Sequence, residues 1–317
     1  MLAGLGLLMV SAVMLIAGAE LFTDNAADAA RRLQITVFAA AFLLAGAEPE
    51  EMITAVIASG RDRPGLAAGD AIGANLTMLT LVLGVAALAR PLPFGGRVRR
   101  YAIWSALAGG LAALTVFGGR VGRWEGGLLL AAYLAGVALL WWRERQPPVI
   151  GEVAEAAEQE EQEKEREGAR SRPAVLGLVL ALSGVAVMGA GGWLAVAGAE
   201  RVVAALGLAD SAVGLTLLAL ATTAELFALA WAAMRRGVSE IAVAGVIGSV
   251  AYNATATLGL AALVRPLAVT SIQVPAILAA VLPVALLVVT PGGRLNRPTG
   301  VVLVLGYAAW VTAVLVH

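Results

Sequence analysis

The sequence predicts an all-α integral membrane protein with about ten transmembrane helices, arranged as two inverted five-helix repeats. Three observations carry this expectation. First, 60% of the 317 residues are apolar and only 14% charged, with a mean hydropathy of +0.86, far from a soluble composition. Second, apolar runs of about 20 residues, the length needed to cross a bilayer as a helix, recur along the whole chain. Third, one pattern is written twice. Gly46-Ala47-Glu48-Pro49-Glu50-Glu51 and Ala221-Thr222-Thr223-Ala224-Glu225 each lie inside an apolar run, and Glu50 stands as far from Ala74 as Glu225 does from Ser249. Aromatic residues are only 5% of the chain, and strand-like alternation is scarce, which excludes a β-barrel.

The spans are expected at about 2 to 19, 35 to 60, 65 to 89, 101 to 119, 125 to 142, 174 to 199, 212 to 234, 239 to 264, 270 to 290 and 299 to 316. The first has no basic flank before its apolar run and reads as a membrane helix, not a cleaved signal peptide. The second holds Gly46 and Pro49, which cost about 1 and about 3 kcal/mol relative to Ala inside a helix, so a break is expected there. The third carries Gly69, Asp70, Gly73, Asn75 and Thr77 among apolar residues. The fourth and fifth are punctuated by Arg and Gly residues at their ends and carry no central charge. Between spans five and six, residues 143–173 contain a Glu/Gln/Lys-rich run from Glu158 to Glu167, the composition of a solvated linker.

The sixth span ends on Ala197-Gly198-Ala199-Glu200, repeating Ala17-Gly18-Ala19-Glu20 letter for letter. The seventh contains Thr222, Thr223 and Glu225 but no Gly or Pro nearby, so its break should be milder. The eighth carries Gly245, Gly248, Ser249 and Asn253; the ninth and tenth carry no charged residue. Residues 1–142 and 174–317 thus form the two halves, with repeated units at about 35–90 and 212–264. An odd number of spans per half forces the copies into opposite orientations, and such repeats place a substrate site near the midplane. Lys and Arg give an independent check, because they accumulate in cytoplasmic loops. With both termini outside, only Arg61, Arg63, Arg120, Arg123, Arg201 and Arg265 fall outside, and the 143–173 linker is cytoplasmic.

The chemistry lies in the carboxylates. One charged side chain at mid-membrane depth costs roughly 2.5 kcal/mol or more, so a chain that keeps several uses them on cations or protons. On a regular helix Glu48 and Glu51 would share a face and Glu50 would point elsewhere. Thr222 and Thr223 are candidate hydroxyl ligands, or they bond back to their own helix. Ser249 and Asn253, four apart, share one helical face and are candidates either for neutral ion ligands or for an interhelical hydrogen bond. Asp70 is a ligand or a helix-end group in water. With no cysteine, and His317 as the single histidine, thiolate and imidazole metal sites are excluded and only oxygen ligands remain. No nucleotide-binding loop is present, so neither an enzyme nor a cofactor is expected. A net charge of zero gives no sign of a nucleic-acid partner. The expected partners are inorganic cations and the lipid bilayer.

These residues together resemble the calcium/cation antiporter superfamily, which includes sodium/calcium and proton/calcium exchangers. Its repeats read roughly Gly-Thr-Ser-Leu-Pro-Glu, then a short loop, then Gly-Ser-Asn with an Asn or Asp four residues beyond the Ser. Gly18-Ala19-Glu20-Leu21, Leu33-Gln34-Ile35, Gly214-Leu215-Thr216 and Arg236-Gly237-Val238 resemble the lead-ins. The resemblance implies two inverted five-helix halves and exchange of Ca2+ for Na+ or H+ across the plasma (inner) membrane. It implies cation-binding roles for Glu225, for Glu50 or Glu51, and for Ser249, Asn253 and Thr222. The first half departs from the pattern. Ala47 and Glu48 stand in place of Thr-Ser, while Ala74 and Met78 occupy ligand positions without a coordinating oxygen. Extra carboxylate with fewer neutral oxygens suits proton exchange, because crowded carboxylates share protons, and calcium accepts six to eight oxygens of either kind. The candidate cation site is therefore Glu48, Glu50, Glu51, Asp70, Thr222, Thr223, Glu225, Ser249 and Asn253. Alternatives are a monovalent cation/proton exchanger and a non-transporting membrane scaffold with a degenerate repeat.

Overall fold

The computed structural model describes residues 1–32, 48–144, 174–227, 230, 239–290 and 292–316. The Gly46-Ala47 segment, the Leu33-Gln34-Ile35 and Arg236-Gly237-Val238 lead-ins and nearly all of the charged linker lie outside those residues. Helix α1 is Leu2–Arg32, continuing past the membrane span expected at about 2 to 19. Its membrane-compatible part is Leu2–Phe22. The charged residues after Ala19 mark where the helix leaves the apolar zone; the alanines among them sustain it.

Helix α2, Pro49–Gly60, opens with proline at its first position, where the missing N–H is no loss. Helix α3 spans Pro64–Ala89 and contains one wide π turn, Met78–Val82. Then follow α4, Gly96–Val116, α5, Arg123–Glu144, and α6, Ala174–Leu206. Helix α7, Asp210–Thr222, has a π turn at Gly214–Leu218. It is interrupted at Thr223, whose φ of −80° and ψ of 4° leave the helical region, and helix resumes over 224–227. This is the milder break expected where neither Gly nor Pro stands beside Thr222-Thr223. Helix α8 runs Ser239–Tyr252, passes through a π turn at Asn253–Thr257 and continues as Leu258–Val264. Helices α9, Gln273–Val289, and α10, Arg297–Val316, complete the described chain.

Four two-residue strands, which composition does not predict, staple the loops together. β1 (Leu92–Pro93) pairs antiparallel with β4 (Arg294–Leu295), and β2 (Arg120–Val121) with β3 (Leu267–Ala268). Each pair joins a residue before the linker to one after it.

Seven of these helices, α1, α3, α5, α6, α8, α9 and α10, are long and apolar enough to cross a bilayer. The chain is a multi-pass integral membrane protein. Burial sorts the spans into an interior and a periphery. The α3 and α8 spans are 83% and 89% buried within the protein, against 22% for α5 and 17% for α10. The small residues of the third and eighth spans explain the inner position, since in lipid close packing, not hydrophobicity, drives helices together.

Among the described residues, the tightest backbone approach at a glycine is between α3 and α7. A Cβ added to Gly73 would lie 2.5 Å from the carbonyl oxygen of Leu215, and one added to Gly214 would lie 2.8 Å from that of Leu66. Both obstacles are backbone and cannot swing aside. Gly73→Ala is therefore expected to push the helices apart and cost about 1–3 kcal/mol, read as a lowered Tm in detergent. Gly110→Ala, with nothing within 4 Å of the added carbon, should leave the Tm unchanged or raise it.

Candidate ion-binding site

The N-terminal turn of α2 organises the site. Pro49 disfavours helical backbone in the residue before it, and Glu48 accordingly has φ −143° and ψ 69°. The expected shared helical face of Glu48 and Glu51 therefore does not exist: Glu48 lies outside the helix, while Glu50 and Glu51 fill its first turn. Unpaired N–H groups there favour negative charge. All three side chains are buried, none more than 1% exposed. The carboxylates of Glu48, Glu50 and Asp70 lie close enough to Glu51 to act on it electrostatically. Neither oxygen of Glu51 has a protein hydrogen-bond donor among the described residues.

Asp70 is fully buried on α3, which removes the alternative of a helix-end group in water. The Thr222 hydroxyl lies 3.0 Å from Asp70 Oδ1 as donor and also approaches the carbonyls of Leu218 at 3.3 Å and Ala219 at 3.1 Å. Across the other seam, Asn253 Nδ2 donates to Glu48 Oε2 at 3.4 Å, while its Oδ1 accepts from Thr257 at 2.9 Å. At the site, α3 thus meets α7 through Asp70 and Thr222, and the entry to α2 meets α8 through Glu48 and Asn253.

Glu225 is buried just beyond the Thr223 break. The Thr223 hydroxyl donates to Ala219 O at 2.7 Å, the back-bonding alternative, and that of Ser249 donates to Gly245 O of its own helix at 3.1 Å, not across to another helix. Each oxygen keeps lone pairs for a cation. Ala74 and Met78 are fully buried, and Met78 opens the α3 π turn as Asn253 opens that of α8. The π turn is present at both positions, but Ala74 and Met78 carry no side-chain oxygen. Among the described residues, no three Asp, Glu, His or Cys side chains converge closely enough to cage a metal ion.

Two buried acceptors were not among the expected site residues. Thr54 Oγ1 and Asn75 Oδ1 have no partner among the described residues. The signal for Thr54 was available: it follows Glu51 by three positions and Glu50 by four, the spacing of one helical face. Beside the site, Tyr252 donates its hydroxyl to Met52 Sδ at 3.3 Å, and its ring packs edge-on against Tyr133, 5.4 Å between centroids.

Comparison with known proteins adds to this geometry. A family described as "Sodium/calcium exchanger protein" matches residues 3–142 and 176–316. The putative antiporter CaxA of Alkalimonas amylolytica is 26% identical over 262 residues, covering 81% of this chain and 80% of that protein. The inner membrane protein YrbG of Escherichia coli is 29% identical over 222 residues, covering 70% and 67%. Among solved structures, the sodium-calcium exchanger NCX_Mj soaked with Na+ and Sr2+ superposes with a TM-score of 0.63 at 23% identity, covering 98% of both chains. That likeness bears on the fold.

Proposed function

The chain belongs to the sodium/calcium exchanger protein family, and on that premise we propose that it is a secondary cation antiporter. It exchanges Ca2+ for protons or sodium ions by alternating access. The observation that carries this reading is a charge imbalance. Glu48, Glu50, Glu51, Asp70 and Glu225 are all buried, and no Lys, Arg or His is buried among the described residues. Buried negative charge is expensive, so the carboxylates need cations or protons from solution. One calcium ion balances only two of them. The surplus favours protons as counter-ion, because the same carboxylates can release protons when calcium enters and regain them when it leaves.

The proposed ligands are Glu50 or Glu51, Glu225, Glu48, Ser249, Asn253 and Thr222, with Asp70 and Thr223 at the margin and unwound backbone at Glu48 and Thr223 adding carbonyls. We further read the chain as ten spans in two inverted halves, 1–142 and 174–317, joined by a cytoplasmic linker at 143–173, with both termini outside the plasma (inner) membrane. Internal correspondences support the repeat. The π turns at Met78 and Asn253, and the strands β1 and β3, are separated in sequence by the same interval as Glu50 and Glu225. Gly84 meets Gly300 much as Gly259 meets Gly126.

Calcium uptake into proteoliposomes, with a pH gradient in one set and a sodium gradient in the other, tests the function. Uptake driven by the pH gradient alone is the expected result. Uptake driven by sodium alone would make sodium the counter-ion. A sodium or potassium flux indifferent to calcium would mean a monovalent exchanger, and no flux and no ion-dependent stabilisation would leave a scaffold.

A further inference from the structure

The carboxylate helix α2 lies alongside α6. Near the site, Gly192 of α6 faces Thr54, Ile53 and Ile57: a Cβ built on it would sit 3.1 Å from Thr54 Oγ1. Two turns further towards the end of α2, the seam closes on charge. Arg61 Nη2 donates to Glu200 Oε2 at 2.7 Å and Arg63 Nε to Glu200 Oε1 at 3.2 Å, so each oxygen of this α6 carboxylate holds one arginine. Arg63 Nη1 also reaches Asp210 Oδ2, at the start of α7, at 3.5 Å. The Arg61 guanidinium lies 5.4 Å from the centre of the Trp193 ring on α6. Between the arginines, Asp62 adopts a φ of +62°, a left-handed turn that Asp tolerates better than most residues. Its carboxylate pairs with Arg265 at 2.5 Å.

A three-residue turn at the end of α2 is thus tied to α6, α7 and the end of α8 at once. The Glu200 side chain is only 20% exposed, so its pairs are less screened than ordinary surface bridges.

We propose that Arg61, Arg63 and Glu200 form a latch that holds the α2–α6 seam shut. Its release opens the buried carboxylates towards the membrane face that carries the 60–64 turn. The proposal stands on the packing of α2 against α6 and requires no particular transported ion. A latch of this kind acts by its differential energy: contacts made in one conformation and absent from another set the ratio of the two.

The chain has no cysteine, so a single introduced thiol reports on the seam without transport. Thr54→Cys places it between the carboxylates and the latch, at a position with no exposed surface. In lipid nanodiscs, a membrane-impermeant maleimide should react slowly with this variant. Adding Glu200→Gln should speed the reaction about fivefold, the scale of losing two partly shielded ion pairs. Arg61→Gln with Arg63→Gln should speed it at least as much, since it also removes the Arg63–Asp210 pair and the Arg61–Trp193 contact. Adding Glu200→Gln to that change should add nothing further, because the Glu200 pairs are already broken. Glu200→Asp should restore slow labelling. A rate unchanged by Glu200→Gln, or additive effects of the two changes, would overturn the latch. So would equal acceleration at Ala102→Cys, a buried position on α4, since that would mark general loosening of the fold.

Discussion

Glu225→Gln is expected to abolish calcium exchange, by at least about a hundredfold, while the protein stays folded. The substitution keeps the shape and one carbonyl-type oxygen but removes the charge, and the loss of one charged ligand contact in a desolvated site is worth about 1.5–3 kcal/mol or more. Among the described residues of 212–264, Glu225 is the one buried carboxylate. If calcium and its counter-ion use the same carboxylates in turn, neutralising this one impairs both directions of the cycle together. Uptake per milligram of reconstituted protein measures the first part, and an unchanged elution profile and Tm in detergent the second. Calcium transport retained in this variant would refute the assignment of Glu225 to the site.

Much of the architecture was legible because in a membrane the sequence signals are blunt. Composition gave the class, and the starts of α2 and α3 were marked by Pro49 and Pro64 in the position proline favours. The first span was legible to within a few residues, Leu2–Phe22 against about 2 to 19, but hydropathy does not show how far the helix itself continues. A charged residue ends the membrane-compatible part, whereas only a breaker ends the helix, and none follows Ala19 within α1. The site was legible in its members more than in its pairings. Glu48 and Asp70 stood out as charges in apolar runs, but that Glu48 would meet Asn253, and Asp70 meet Thr222, depends on how α2, α3, α7 and α8 cross. A span's own periodicity carries no such information. The three π turns were invisible for the same reason: an extra backbone residue in a turn leaves hydropathy unchanged. Thr54 was missed although its spacing from Glu50 and Glu51 was plain, because an isolated threonine in an apolar helix is usually bonded to its own backbone.

The contact between Glu48 and Asn253 leads to the second large effect. Asn253→Asp should lower exchange at least tenfold and reduce stability, whereas Glu48→Gln combined with Asn253→Asp should restore exchange to within about threefold of the starting protein. In the native pair the amide Nδ2 donates to Glu48 Oε2 at 3.4 Å. Replacing it by a carboxylate oxygen removes the donor and sets two like charges against each other in a buried place, a repulsion of several kcal/mol even at an effective dielectric constant of about 20. The double variant returns a donor, now the side-chain amide introduced by Glu48→Gln, to a carboxylate acceptor and keeps the total number of buried carboxylates at its native value. It moves one negative charge from the first half to the second without changing the sum. Restoration would mean that the site responds to total charge and to a satisfied pair, and not to which half supplies the carboxylate. A double variant as impaired as the two single changes combined would show instead that Glu48 binds the ion from a position no second-half carboxylate can replace. Calcium uptake under the driving gradient, measured for both single variants and the double, separates these outcomes.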